Sequence, residues 1–183
     1  MRITENYFTK KAGKALGNVE TVEPYASGME YIEDELKLLD LKLILHLQMG
    51  IETGTLYPST QGLISAEEVL TLLDGYDKFG SDRAELEKQI QLMERQIAQR
   101  LNMGRERGIH YSLQRLTDLY GLGPFEKFCI IACLATEVNP KYQRIYGYMQ
   151  NDIYQHKPTI DLLARIYPLK DYEKYLIRSI FDI

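Results

Sequence analysis

No apolar run in the 183-residue chain approaches the roughly 20 residues that span a bilayer. The first residues also lack the apolar core of a signal peptide, so a cytoplasmic protein is expected. Cysteine is nearly absent. Cys129 and Cys133 are four apart, which in one helix puts them on the same face, where helical geometry disfavours a disulfide. Nothing points to a secreted disulfide scaffold. Their neighbours Phe128, Ile130, Ile131 and Leu134 assign both thiols to a core. His46, His110 and His156 each lack a second ligand at metal spacing, so no metal is expected. Also missing is the glycine-rich turn leading to lysine and Ser/Thr at a helix start, where backbone amides cradle phosphates and a hydroxyl reaches magnesium. Lys14-Ala15-Leu16-Gly17 and Gly121 to Lys127 contain the residue types without the order. The chain is expected to bind no ATP, to need no cofactor and to carry no catalytic residues. Alternating strand patterns and internal repeats are absent too, which leaves an all-α reading.

What is present is helical punctuation. Residues 1–28 mix Lys10, Lys11 and Lys14 with Gly13, Gly17 and Gly28 without a sustained period, and read as a flexible lead-in. From Met29 to about Met49, Ile32, Leu36, Leu39, Leu43 and Leu47 step by three or four, and Leu38, Leu41 and Leu45 add a second stripe. A helix with two apolar sides needs cover on both. Gly50 to Gly62 reads as a loop. Ser65 to Glu68 is a capping box opening a short helix that Asp74-Gly75 closes. Asp82 and Glu85 open what reads as the longest helix, to about Gly104, with Leu86, Ile90, Met93, Ile97 and Leu101 along one seam. The Met29–Met49 helix is its natural antiparallel partner. Ser112 is expected to cap a further helix to Tyr120, and Asp171 a last one carrying Tyr175, Leu176 and Phe181.

Between Tyr120 and Tyr167 the punctuation is densest. Pro124 opens one helix at its first position. Asn139-Pro140 opens a second, in which Tyr142, Ile145, Tyr146 and Met149 share a face. Pro158-Thr159 opens a third with Leu162, Leu163 and Ile166 inward. Three short helices with tight connections form a helix-turn-helix arrangement, which hosts both DNA readers and docking domains. The expected organisation is residues 29–108 as a helical hairpin subdomain and 109–183 as a winged-helix-like subdomain.

Five pieces of this stretch carry a resemblance: Gly121-Leu122-x-Pro124-Phe125-Glu126, Ala135-x-Glu137-x-Asn139, Tyr142-x-Arg144-x-Tyr146-x-Tyr148-x-Gln150, Asp152, and Pro158-Thr159-x-Asp161-Leu162. Together they resemble the winged-helix region that precedes the ATPase modules of a group of bacterial AAA+ ATPases. The likeness extends more weakly back through residues 29 to 108. Gly123 departs from it, standing where that family usually has a serine N-cap, and no wing strands or ATPase domain are read in the chain. The resemblance implies a non-catalytic docking or adaptor module that recruits a protein client to ATPase modules C-terminal to it, in a parent that can be oligomeric.

Charge bears on the choice between partners. Residues 29–80 hold 3 basic and 10 acidic groups, a balance of −7, whereas 111–183 hold 9 and 8, a balance of +1. That distribution disfavours polyanion binding by the whole chain. Glu30, Glu33, Asp34 and Glu35 read as a solvated face in the first turns of a helix. In the third helix of the helix-turn-helix, packing takes Ile160, Leu162, Leu163, Ile166 and Tyr167. Asp161 and Arg165 remain exposed and neutralise each other. Lys141, Arg144, Lys157 and Arg165 are the candidate phosphate contacts of the alternative, a DNA-binding helix-turn-helix. Ile51, Leu56 and Tyr57, in the Gly50–Gly62 loop, are the candidate protein contacts. A third reading is a dimer formed through the hairpin seams.

Overall fold

A computed structural model describes residues 22–57, 64–75 and 82–167. Seven helices and no strand occur among the described residues. They are α1 (Gly28–Glu52), α2 (Ala66–Leu73), α3 (Arg83–Glu106), α4 (Ser112–Tyr120), α5 (Pro124–Val138), α6 (Lys141–Gln150) and α7 (Ile160–Ile166). The chain is thus all-α, a long helical hairpin followed by a helix-turn-helix arrangement.

Most helix starts follow from local chemistry. Ser27 caps α1 by accepting from the Glu30 amide. Ser65 caps α2 by accepting from the Glu68 amide, and Thr159 caps α7 by accepting from that of Leu162. Asp82 accepts from the Ala84 amide at the start of α3. Proline begins α5 although Gly123 gives it no side-chain cap. Its fixed φ and missing N–H suit the first turn, so the helix forms without the serine. Asn139 Oδ1 accepts from the Lys141 amide at 3.0 Å, opening α6. Two starts differ from expectation: Pro140, expected at the first helical position behind an Asn139 cap, itself holds the cap position of α6, and Ser112 is already the first residue of α4, where Tyr111 holds the cap position and no side chain caps it. Gly121 ends α4 at φ 61°, left-handed geometry that glycine adopts without a Cβ penalty.

The expected hairpin is present. Along α3, Leu86, Ile90 and Ile97 are buried and Met93 and Leu101 partly so, and they meet Leu39, Leu43 and Leu47 in one core. At 25 residues α1 is the longest helix described, against 24 for α3. It packs on α3 and also on α2, α5 and α7. That explains the double apolar stripe, because cover arrives from both the hairpin partner and the helix-turn-helix. In turn α5 packs on α6 and α7.

The lead-in was expected to have nothing to dock with. Residues 1–21 lie outside the described residues, but residues 22–27 are held. Tyr25 is 1% exposed and its ring meets Tyr31 and Tyr111 at centroid distances of 5.4 and 5.8 Å. The Tyr111 hydroxyl donates to the Tyr25 carbonyl at 2.8 Å. From α3, Arg100 lies over the Tyr25 ring at 3.8 Å and donates to the Glu23 carbonyl at 3.1 Å. A single aromatic anchor secures the segment where no periodic stripe exists. The helix expected from Asp171 lies outside the described residues.

Candidate functional site

Side chains two positions apart on a helix point in nearly opposite directions, so a run at every second position reaches several neighbours. Five residues of α6 do so. The Tyr142 hydroxyl donates to Asp40 of α1 at 2.7 Å. Arg144 pairs with Glu68 of α2. The Tyr146 hydroxyl donates to the Ala132 carbonyl of α5 at 3.0 Å, and that of Tyr148 to the Tyr57 carbonyl at 2.5 Å. Gln150 holds the start of α7: its Oε1 accepts from the Thr159 amide at 3.0 Å and hydroxyl at 2.7 Å, while its Nε2 donates to the Lys157 carbonyl at 3.1 Å. Burial raises the Tyr142 and Tyr146 phenols well above the ordinary range, with Asp40 adding to the effect at Tyr142. Asp152 accepts from the Tyr154 amide at 2.9 Å, shaping the turn before α7. The alternating motif thus cross-braces the fold.

The four candidate phosphate contacts all meet carboxylates. Lys141 pairs with Asp40 at 2.8 Å, with both side chains mostly covered. Arg144 pairs with Glu68, Lys157 with Glu137 at 3.6 Å and Arg165 with Asp161 at 3.2 Å, all at the surface. The last pair is the one expected from the sequence. Leu162, Leu163 and Ile166 are buried as expected. Ile160 is not spent on packing, since it lies at the exposed start of α7.

The three candidate protein contacts do not form one outward patch. α1 runs on to Glu52, so Ile51 is helical and partly buried. Leu56 turns inward, because the chain folds back through bonds from the Thr55 and Leu56 amides to the Gly50 carbonyl. A Cβ on Gly50 would meet Leu56 Cδ1 at 2.6 Å, so glycine makes room for this return. Tyr57 remains outward, 62% exposed. Residues 58–62 of the expected loop lie outside the described residues.

The acidic face of α1 is also turned to internal use. Glu35, expected in solvent, is 4% exposed and pairs with Lys127 of α5 at 2.5 Å. Glu30 and Asp34 both pair with Arg100 of α3. The Arg100 and Ala26 hydrogen bonds hold the Glu30 carboxyl below its ordinary value. With Asp40 and Glu68 serving α6, much of the negative charge in the first half is complementary to basic groups elsewhere in the chain.

Both thiols were expected in the core, yet Cys129 is half-buried and Cys133 exposed. The apolar run of α5 is longer than the face its neighbours cover. Burial still raises the Cys129 thiol to about 11, so it is poorly ionised at neutral pH. Other exposed apolar groups were missed as well. Leu116, Leu119 and Tyr120 stand on α4, Leu119 at 77% exposure, and Tyr154 stands at 82% in the turn before α7. Their i, i+3, i+4 spacing on α4 was a readable signal. Among the described residues no helix is long and apolar enough to cross a membrane.

A family model described as "Winged helix domain, variant" matches residues 14–183. No curated protein matches the chain, and no solved structure does.

Proposed function

The chain belongs to the family of variant winged helix domains, and on that premise we propose that it is a protein-docking module. Specifically, we assign it to the N-terminal region of an AAA+ ATPase, where it recruits a client or adaptor to motor modules. The winged-helix fold hosts DNA readers as well as docking domains, so the choice rests on side chains. The observation that carries the docking reading is the pairing of Lys141, Arg144, Lys157 and Arg165 with Asp40, Glu68, Glu137 and Asp161. A reader of duplex DNA needs basic groups facing phosphates and Arg, Lys, Asn or Gln facing base edges. Here the outer face of α7 offers an Asp161–Arg165 pair. Exposed apolar groups on α4 and at Tyr57 and Tyr154 are better suited to a protein surface than to a phosphate backbone.

The test has two arms. Fluorescence anisotropy with a panel of duplexes should give at most weak binding that declines steeply with salt. A sequence-selective complex that survives physiological salt and is lost on Arg165→Ala would establish the DNA-reading alternative instead. In the second arm, a photo-crosslinking residue at position 119 or 57 in the native host should yield a discrete protein adduct. Adducts to nucleic acid alone would overturn the docking assignment. The AAA+ parentage is checked by reading the complete coding sequence for a phosphate-binding loop.

A further inference from the structure

A cavity of about 390 Å³ lies between α1, α3 and α5, within the size range of small-ligand sites. Its walls are mainly apolar, including Leu38, Leu39, Ile97, Leu101, Phe128 and Ile131. Two charged side chains of α1 also line it, and both are nearly sealed from solvent: Glu35 at 4% exposure and Lys42 at 6%. Seven residues apart on one helix, they are separated by roughly 10 Å of rise. The cavity therefore has an apolar middle and a charge toward each end.

The two charges are not equally well satisfied. Glu35 meets Lys127 at 2.5 Å, a partner whose side chain is 27% exposed. Lys42 meets Glu94 at 2.8 Å, but the Glu94 side chain is 46% exposed and so hydrates readily in the unpaired form. The faces of Phe128 and Tyr167 also lie near the Lys42 ammonium, at 5.4 and 5.0 Å. Ring faces attract a cation without neutralising it. An ammonium has three donors, and among the described residues this one meets a single carboxylate. A buried cation in apolar surroundings with a displaceable anion is suited to an incoming anion that brings its own apolar body.

We propose that this cavity binds a small apolar carboxylate. Its carboxylate takes the place of Glu94 on Lys42 Nζ, and its hydrocarbon lies along Leu38, Leu39 and Ile97 toward the Glu35–Lys127 pair. The site is separate from the docking assignment and does not depend on it.

Calorimetric titration of the full chain with octanoate, octanol and octylamine tests the proposal. Octanoate should bind saturably at one per chain, with octanol and octylamine weaker by about tenfold or more, equivalent to at least about 1.4 kcal/mol. Lys42→Met keeps the stem and removes the charge, and should lower octanoate affinity to the octanol level. Glu94→Gln supplies a readout that a purely structural role for Lys42 would not move. It removes the competing carboxylate and should tighten octanoate several-fold while leaving octanol unchanged. Because Glu94 is half-exposed, that variant keeps the test usable if Lys42→Met fails to fold. The proposal is overturned if octanoate shows no saturable binding at millimolar concentration, if the three compounds bind within about threefold of one another, or if Glu94→Gln leaves octanoate affinity unchanged or weaker.

Discussion

Replacing Asp40 with asparagine separates the two roles that its carboxylate combines. One is structural: Asp40 accepts from the Tyr142 hydroxyl at 2.7 Å and from Lys141 Nζ at 2.8 Å, linking α1 to α6. The other is electrostatic, since the same carboxylate neutralises a lysine otherwise free to touch phosphate. Tyr142 is 2% exposed, so water reaches its hydroxyl poorly when that bond weakens. A buried hydroxyl deprived of a good acceptor costs about 1–3 kcal/mol, and breaking a fully buried pair about 3–5 kcal/mol. Because Lys141 and Asp40 each retain 19% side-chain exposure, the pair term is discounted, and asparagine can still accept one bond. The expected loss is about 2–3 kcal/mol in urea unfolding, with an unchanged m-value. Combining Asp40→Asn with Tyr142→Phe should cost less than the sum, with a coupling of about 1 kcal/mol. The freed Lys141 should also steepen the salt dependence of any weak DNA binding by about 0.9 in the log–log slope, one phosphate contact's worth. A destabilisation under about 0.5 kcal/mol, together with strict additivity, would refute the bracing role of Asp40.

Three further outcomes are expected. Leu39→Ala and Ile90→Ala should each cost about 2–5 kcal/mol in denaturant unfolding, because both are buried in the hairpin core; less than about 1 kcal/mol at both sites would remove the seam from the stability argument. His46 is held down from 6.5 to about 4, first by burial and then by Arg165. The unfolded chain therefore takes up its proton first, and stability should fall as pH drops from about 6.5 toward 4, by at most about 3 kcal/mol; His46→Leu should flatten that stretch of the pH–stability curve. Gln150→Ala removes the acceptor of the Thr159 amide and hydroxyl. It should cost about 1–3 kcal/mol and selectively lower hydrogen-exchange protection in the first turn of α7.

The helices were legible because their starts carry local chemistry: Ser65, Asp82, Pro124 and Thr159 each act within three residues of themselves. The hairpin was legible for a related reason, since only one other seam was long enough to match that of α1. Charge was misread in part. Glu33 is exposed as expected, but Glu30, Asp34 and Glu35 looked solvated because sequence distance conceals that Arg100 and Lys127 return to face them. Long-range pairing of this sort leaves no periodic trace. Tyr25 was hidden differently, as an aromatic in an irregular segment whose burial depends on how the backbone turns, while for Leu56, beside Tyr57, both an outward and a packed-back position were open from the sequence. The exposed Cys133 shows the converse limit, that apolar neighbours in sequence do not fix which face of a helix is covered.

The bracing of α6 has a mechanical consequence. Its ties run in different directions to α1, α2, α5, the turn after α1 and the start of α7, so turning the helix by one residue's angle misaligns all of them together. Such a helix has no partial slip available to it. It behaves like a keystone that is either seated or out, and it links Tyr57 and the start of α7 to the middle of α1 at Asp40.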